Sequence, residues 1–224
     1  MKRFISFISL ISTFLFIFAE APIGKTAKSM KKQGMVNIHD IAPSIKVSLM
    51  YARHDNFCNM ILYEDLRQAY LHPKAAKALA RAQERLKKLR PDLTLKIYDA
   101  CRPMSIQQKM WDKVKHTKKY FYVSNPAHGG GMHNYGMAVD ITICNANNDT
   151  IRMGTKIDAM TYLSHIDKER QLVNQHKISK LALANRRLLR EVMEYAGFTP
   201  LRTEWWHFNY ISRSTAKRYY KVIR

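Results

Sequence analysis

The chain is poor in cysteine, with three residues in 224 at the well-separated positions Cys58, Cys101 and Cys144. This number excludes the disulfide framework of a small secreted domain, and because it is odd, at least one thiol stays unpaired. A single disulfide is compatible with the count, but none is needed in a chain long enough to bury a core. Cys101 is expected to be a packing residue, since no base is paired with it in the sequence.

Long apolar runs are also missing beyond residue 21, which excludes a membrane-spanning domain. The first 21 residues differ, because two basic residues precede sixteen uncharged ones and small residues follow at the end. The uncharged run is shorter than the roughly 20 apolar residues of a spanning helix, which favours cleavage after Ala21 over retention as an anchor. We predict a signal peptide at 1–21 and a periplasmic or secreted protein without a transmembrane segment after processing.

Acidic residues are scarce, with 17 Asp and Glu against 38 Lys and Arg, for a net charge of +21. Such an excess favours anionic partners, and for an exported protein these are cell-envelope polymers rather than nucleic acid, for which the sequence shows no reading motif. Part of the charge lies in two segments that are predicted to be solvated, a basic linker at 22–35 and a basic C-terminal tail at 213–224. One domain, residues 36–212, remains between them.

Helix and strand patterns follow each other without regular alternation. Strands are predicted at 93–99 and 137–143, and a helix at 104–114. Two further helices are predicted from apolar residues at steps of three and four, one from Pro73 to Pro91 and one that ends before Gly197. Their stripes are Ala75, Leu79, Ala82, Leu86 and Leu89, and Leu181, Ala184, Leu188, Val192 and Tyr195. The pattern predicts an α+β fold, a single compact domain with a central, mainly antiparallel sheet flanked by helices.

The stretch "HGGGMHNYGMAVDITI", residues 128–143, combines glycines with groups that could hold a metal. His133 and Asp140 are seven residues apart, so on one unbroken strand they would face opposite sides of the sheet. A turn at Gly136 would fold His133 back beside Asp140. A pair of this kind is weak evidence for a metal by itself.

A second stretch, "TEWWHFNY" at 203–210, places Glu204 three residues before His207 among aromatic residues. It could be an aromatic core segment, but a buried carboxylate beside two tryptophans is costly without a partner or a role. His133, Asp140 and His207 together suit one Zn²⁺ with a position left open for water, and Glu204 is then available as a general base. His128 is rejected as a fourth ligand, because it would close that open position.

The motifs "HNYGMAVD" and "EWWH" resemble those of the zinc-dependent D-alanyl-D-alanine dipeptidases. The resemblance covers about residues 36–212 and includes, in family order, "YARHDNF" at 51–57, "LHPKAAKALARAQ" at 71–83, "DACRP" at 99–103, "MGTKID" at 153–158 and "NRRLLREVMEYAGF" at 185–198. It implies a zinc site in a cleft, formed by His133, Asp140 and His207, with Glu204 as the base that assists attack by zinc-activated water. Arg102 would stabilise the oxyanion, and Tyr51 and Asp158 would hold the substrate ammonium.

The chain departs from the family at Gly131, where the pattern has a serine that helps to bind substrate. Glycine removes a hydroxyl and is expected to loosen the loop, which affects substrate preference but not the zinc or the base. The leading hypothesis is an exported zinc dipeptidase that releases D-alanine from D-alanyl-D-alanine. A D,D-carboxypeptidase or endopeptidase acting on peptidoglycan stem peptides, and a non-catalytic cationic envelope-binding protein, are the alternatives.

Overall fold

The computed structural model describes residues 23–224, so the predicted signal peptide lies outside the described residues. Its helices are α1 (Lys25–Lys32), α2 (Ile38–Ile41), α3 (Pro73–Leu89), α4 (Met104–Val114), α5 (Glu169–Asn174), α6 (Lys180–Tyr195) and α7 (Arg213–Tyr219). Its strands are β1 (Val36–Asn37), β2 (Lys46–Val47), β3 (Tyr70–Leu71), β4 (Thr94–Asp99), β5 (Ala138–Cys144), β6 (Thr199–Leu201) and β7 (Glu204–Asn209). Over this part of the chain, no helix is both long and apolar enough to cross a membrane.

A five-stranded sheet forms the centre of the fold, with the strand order β2-β4-β5-β7-β6. Strand β2 runs parallel to β4, and every other neighbouring pair is antiparallel. Strands β1 and β3 form a separate antiparallel pair. All seven residues of β5, the middle strand, are buried, as expected where both faces of a sheet are covered. The predicted α+β fold with a mainly antiparallel central sheet is confirmed.

The first predicted amphipathic helix corresponds to α3. Pro73 occupies its first turn, where a missing N–H has no helical partner to lose, and the His72 side chain accepts a hydrogen bond from the Lys74 N–H at 3.2 Å. Of the predicted stripe, Leu89 alone is exposed, at 37%, and the other four side chains are buried. Helix α3 packs against α6.

Helix α6 exists where a helix was predicted, but of the five apolar residues that predicted it only Val192 is fully buried. Leu181 and Tyr195 are 55% and 63% exposed, and the buried side chains are Ala182, Arg186, Leu189, Val192 and Met193. The sequence pattern is misleading because a charged residue lies at the centre of the buried face. Arg186 is fully buried because its guanidinium donates to the carbonyl oxygens of Met153 and Leu163 at 2.7 and 3.0 Å.

The segments predicted to be a basic linker and a basic tail are both folded onto the domain. Residues 25–32 form α1, which buries Ala27 and Met30 while its lysines project outward. In the C-terminal segment, Ile223 is 1% exposed and its backbone N–H donates to the Asn134 carbonyl at 2.7 Å. The abundance of lysine and arginine makes both segments look solvated in the sequence. Two or three apolar side chains are nevertheless enough to dock a short segment onto the domain.

Candidate metal centre and active site

Three neighbouring strands bring candidate ligands into one row across the sheet. Asp140 in β5 lies directly opposite His207 in β7 and, on its other side, opposite Asp99 in β4. Directly opposite residues in an antiparallel pair share a face, so their side chains meet without any loop rearrangement. The row therefore rests on backbone pairing, which fixes Asp140 and His207 next to each other.

A tight turn ahead of β5 adds His133 to this row. Residues Met132–Tyr135 form a 3₁₀ turn that ends at Gly136, whose φ of +67° lies in the left-handed region. A Cβ at Gly136 would stand 2.9 Å from both Cys101 Sγ and the His72 backbone nitrogen. Glycine is thus required both by the backbone conformation and by the lack of space. The turn places His133 beside Asp140, as the spacing in the sequence suggested.

The three side chains converge on one point with their proton-accepting atoms. One ligand atom from each of His133, Asp140 and His207 lies within 4.8 Å of the others. The opposite ring nitrogens are committed elsewhere, since His133 Nδ1 lies 2.7 Å from the Ala100 carbonyl oxygen and His207 Nε2 lies 2.9 Å from Asn209 Oδ1. Both of those partners accept hydrogen bonds, so each ring carries its proton on the outer nitrogen.

This proton assignment leaves two bare nitrogens facing each other, His133 Nε2 and His207 Nδ1, at 3.2 Å. Asp140 adds carboxylate oxygens 3.0 Å from His207 Nδ1 and 3.4 Å from His133 Nε2. Convergent acceptors without a proton between them repel one another unless a cation lies among them. Two imidazoles and a carboxylate with outer hydrogen bonds are a donor set that suits zinc, so the residues present fit the metal that the sequence predicts.

Glu204 reaches the same cleft through an irregularity in β7. Thr199 and Pro200 pair in register with Asn209 and Phe208, but Leu201 then pairs with Glu204, so the regular alternation is broken between Glu204 and His207. Glu204 is 9% exposed, and within residues 23–224 no side chain or backbone N–H donates a hydrogen bond to its carboxylate. Burial raises the pKa of this carboxyl to about 8. Such a group is suited to exchange protons near neutral pH.

Arg102 borders the metal centre and is held rigidly from behind. Its Nε donates to Asp99 Oδ2 at 2.9 Å, its Nη1 donates to Gln107 Oε1 at 2.9 Å, and its Nη2 lies 3.8 Å from Asp140 Oδ2. Burial by itself would lower the pKa of the guanidinium, but the Asp99 carboxylate raises it well above its ordinary value. Asp99 is fully buried and accepts a further hydrogen bond from Tyr63 at 2.7 Å. Arg102 therefore stays positively charged although it is buried.

Tyr51 and Asp158 are brought together as the family motif implied. The Tyr51 hydroxyl donates to Asp158 Oδ1 at 3.2 Å, and the Phe57 backbone N–H donates to Oδ2 at 2.8 Å. Asp158 has a φ of +67°, a conformation that costs energy for a residue with a side chain. Burial raises its pKa to about 6, against the lowering effect of those hydrogen bonds. A carboxylate in this environment is stabilised by a cation.

A cleft of about 400 Å³ joins the whole set. It is lined by all seven residues predicted from the sequence, Tyr51, Arg102, His133, Asp140, Asp158, Glu204 and His207. A larger cavity, about 650 Å³, is lined by Arg53, Thr142 and residues 150–157 and includes none of the seven. His128 is exposed and lies outside the three-residue ligand group.

Sequence reasoning missed the residues that orient the set. Asp99 and Asn209 resemble ordinary strand-end residues in the sequence, and Gln107 resembles a polar residue on a helix surface. Gln107 is in fact 1% exposed. Its position three residues before Met110 and seven before Val114, on the apolar face of the helix, was the available signal.

Comparison with known proteins agrees with this geometry. The family model described as D-ala-D-ala dipeptidase matches residues 31–224. A D-alanyl-D-alanine dipeptidase of Escherichia coli (strain K12) is 31% identical over 174 residues, 78% of this chain and 83% of the relative. A D-alanyl-D-alanine dipeptidase of Streptomyces coelicolor is 27% identical over 189 residues, 76% of this chain and 88% of the relative.

Among solved structures, VanYB in complex with D-alanine-D-alanine is similar over 67% of this chain and 76% of that chain, with a TM-score of 0.38 and 16% identity. A similarity this low adds nothing to the assignment, which rests on the family model and the sequence relatives. The chain belongs to the D-Ala-D-Ala dipeptidase family of zinc metallopeptidases, which confirms the family, the enzyme class and the cofactor predicted from the sequence.

Proposed function

We propose that this protein is an exported zinc dipeptidase that hydrolyses D-alanyl-D-alanine to free D-alanine. The observation that carries the proposal is the cleft in which three bare acceptors, His133 Nε2, His207 Nδ1 and the Asp140 carboxylate, converge beside Glu204 and Arg102. A purely structural zinc site would need neither a buried carboxyl without a partner nor a guanidinium in the cleft. This argues against a non-catalytic binding protein.

A short substrate with a free amine suits the Tyr51–Asp158 pair. In a dipeptide, the residue whose carbonyl group forms the broken peptide bond also carries the free ammonium group. In a peptidoglycan stem peptide the same nitrogen belongs to a peptide bond and carries no charge. The half-buried Asp158 carboxylate, whose pKa is raised to about 6, therefore gains a neutralising partner from the dipeptide but not from the longer peptide. Asp158 favours a dipeptidase over a carboxypeptidase.

The catalytic groups have separate tasks in this scheme. Zinc, when bound by His133, Asp140 and His207, supplies a Lewis acid that polarises a carbonyl and acidifies water. Glu204 takes a proton from the attacking water and returns it to the leaving amine, and its burial keeps the proton affinity of the carboxylate high.

Arg102 stabilises the negative charge that develops on the carbonyl oxygen. A guanidinium has five N–H groups. Asp99 accepts hydrogen bonds from the N–H of Nε and from one N–H of Nη2, and Gln107 accepts one from Nη1. One N–H remains on each terminal nitrogen for the substrate, so Arg102 is oriented by its neighbours and still able to donate.

The N-terminal segment and the net positive charge support export to a compartment that contains anionic cell-envelope polymers. The charge of residues 1–21 and their uncharged run support a signal peptide and a periplasmic or secreted location. Without that segment the chain has 36 basic and 16 acidic residues, a net charge of +20, which suits association with anionic cell-envelope polymers.

A substrate panel tests the proposal. Zinc-loaded protein lacking residues 1–21 is incubated with D-Ala-D-Ala, its N-acetylated form, L-Ala-L-Ala and a stem pentapeptide, and released alanine is quantified. We expect rapid release from D-Ala-D-Ala and at least about tenfold lower kcat/KM for the N-acetylated form, because a charge-assisted hydrogen bond is lost. Hydrolysis of the pentapeptide alone would show a carboxypeptidase instead. No hydrolysis of any of these peptides would contradict the proposal.

A further inference from the structure

We infer that Ser124 is a substrate-binding residue whose hydroxyl donates a hydrogen bond to an oxygen of the bound dipeptide. The inference rests on the proposed function and adds a specificity-determining residue to it. Ser124 and Gly131 both line the cleft that holds the metal centre. Ser124 follows the 3₁₀ turn Lys118–Tyr122, outside the motifs that identify the family.

The Ser124 side chain fills the space that a side chain at position 131 would occupy. A Cβ built on Gly131 would lie 3.0 Å from Ser124 Oγ and 3.3 Å from Ser124 Cβ, closer than side chains normally pack. The backbone does not require glycine there, because Gly131 has a φ of −106°, which any residue can adopt. Gly131 is therefore explained by Ser124, and the hydroxyl at this point of the cleft comes from residue 124.

The hydroxyl of Ser124 is free to bind a ligand. Ser124 is half-buried, and across the described part of the chain no protein atom forms a hydrogen bond with its Oγ. A half-buried hydroxyl in a cleft that finds no protein partner is available to water or to a substrate, and a substrate that displaces the water gains the bond.

The Ser124 backbone is tied to the catalytic machinery. Gln107 Nε2 donates to the Ser124 carbonyl oxygen at 2.8 Å, while Gln107 Oε1 accepts from Arg102 Nη1 at 2.9 Å. One buried amide thus sets the positions of both the serine and the arginine relative to each other. A donor held in this way loses little freedom when the substrate binds, which is the condition for a useful binding contact.

The loop that carries Gly131 is also held in place, contrary to the looseness expected from its glycines. The Gly131 N–H donates to Asn134 Oδ1 at 2.8 Å, and the Asn134 side chain donates to the Arg102 carbonyl oxygen at 2.8 Å. Residues 124 and 131 therefore face each other across two anchored backbones. A hydroxyl moved from one residue to the other would remain at nearly the same place.

The test compares Ser124→Ala, Ser124→Gly and the reciprocal exchange Ser124→Gly/Gly131→Ser with the wild type. Steady-state kinetics on D-Ala-D-Ala are combined with calorimetric titration of the dipeptide into zinc-loaded protein carrying Glu204→Gln. We expect Ser124→Ala to raise both KM and Kd by about tenfold, with kcat within about twofold, because a bond made equally in the ground and transition states is lost. The exchange should recover most of the lost affinity, to within about threefold of the wild type.

Ser105 provides the matched control. It lies exposed in α4, outside the residues that line the cleft, so Ser105→Ala should leave KM and Kd unchanged. Melting temperatures of all variants report whether the fold is intact. If the wild type binds and cleaves the dipeptide but Ser124→Ala does so equally well, the Ser124 assignment is overturned and the proposed function stands. If the zinc-loaded wild type neither binds nor cleaves the dipeptide, both are overturned.

Discussion

Glu204→Gln is expected to lower kcat for D-Ala-D-Ala by at least about a hundredfold while the protein still binds one zinc per chain. The amide has nearly the shape of the carboxyl but cannot take up a proton. Because Glu204 lies outside the ligand group formed by His133, Asp140 and His207, the substitution leaves the metal site intact. Kinetics and zinc analysis on the same samples measure both quantities.

The pH dependence of the reaction tests the role of Glu204 in a second way. A general base must be deprotonated, so kcat/KM of the wild type rises with pH through the pKa of Glu204, which burial raises and a bound cation lowers. This acid limb should disappear in Glu204→Gln. Glu84, an exposed residue of α3, supplies the control substitution Glu84→Gln, which should behave as wild type. Full activity of Glu204→Gln would refute its role as base.

Arg102→Lys is expected to lower kcat by about a hundredfold to a thousandfold, although it keeps the positive charge. The fork of the guanidinium donates to Asp99 and Gln107 while retaining N–H groups for the substrate. An ammonium is a point charge and cannot satisfy these partners in the same geometry. The loss should appear in kcat more than in KM, because the developing oxyanion exists only in the transition state.

The exposed Arg187 of α6 offers the control Arg187→Lys, which should leave the kinetic constants unchanged. Because Arg102 also neutralises the buried Asp99, thermal melting and zinc content must accompany the kinetics of Arg102→Lys. A folded, zinc-loaded Arg102→Lys enzyme with kcat within about threefold of the wild type would exclude Arg102 as the oxyanion partner.

The turn at Gly136 could be predicted because its physical cause is local. Seven residues separate His133 from Asp140, and only a reversal of the chain between them brings the two side chains together. The position of Glu204 beside His207 was harder to predict, because residues three apart on a regular strand point to opposite faces of the sheet. The irregular pairing of β6 with β7 resolves it, and such an irregularity depends on the neighbouring strand rather than on β7 itself.

Residues that act through long-range contacts could not be predicted. Asp99 matters because β4 lies next to β5, and Gln107 because α4 places it between Arg102 and Ser124. The apolar spacing did not identify the buried face of α6 for a related reason. The backbone carbonyls that stabilise buried Arg186 come from distant parts of the chain. The family motifs indicated the candidate catalytic residues, but the polar residues that orient them are brought into place only by the tertiary structure.

Zinc content and D-alanine release, measured on the same sample before and after chelation, test the central claim most directly. We predict one zinc per chain, complete loss of D-alanine release on chelation, and recovery on addition of one equivalent of zinc. Asp140→Asn should bind zinc more weakly in the same assay, since it removes the anionic ligand of the group. Undiminished release of D-alanine from metal-free protein would contradict the account.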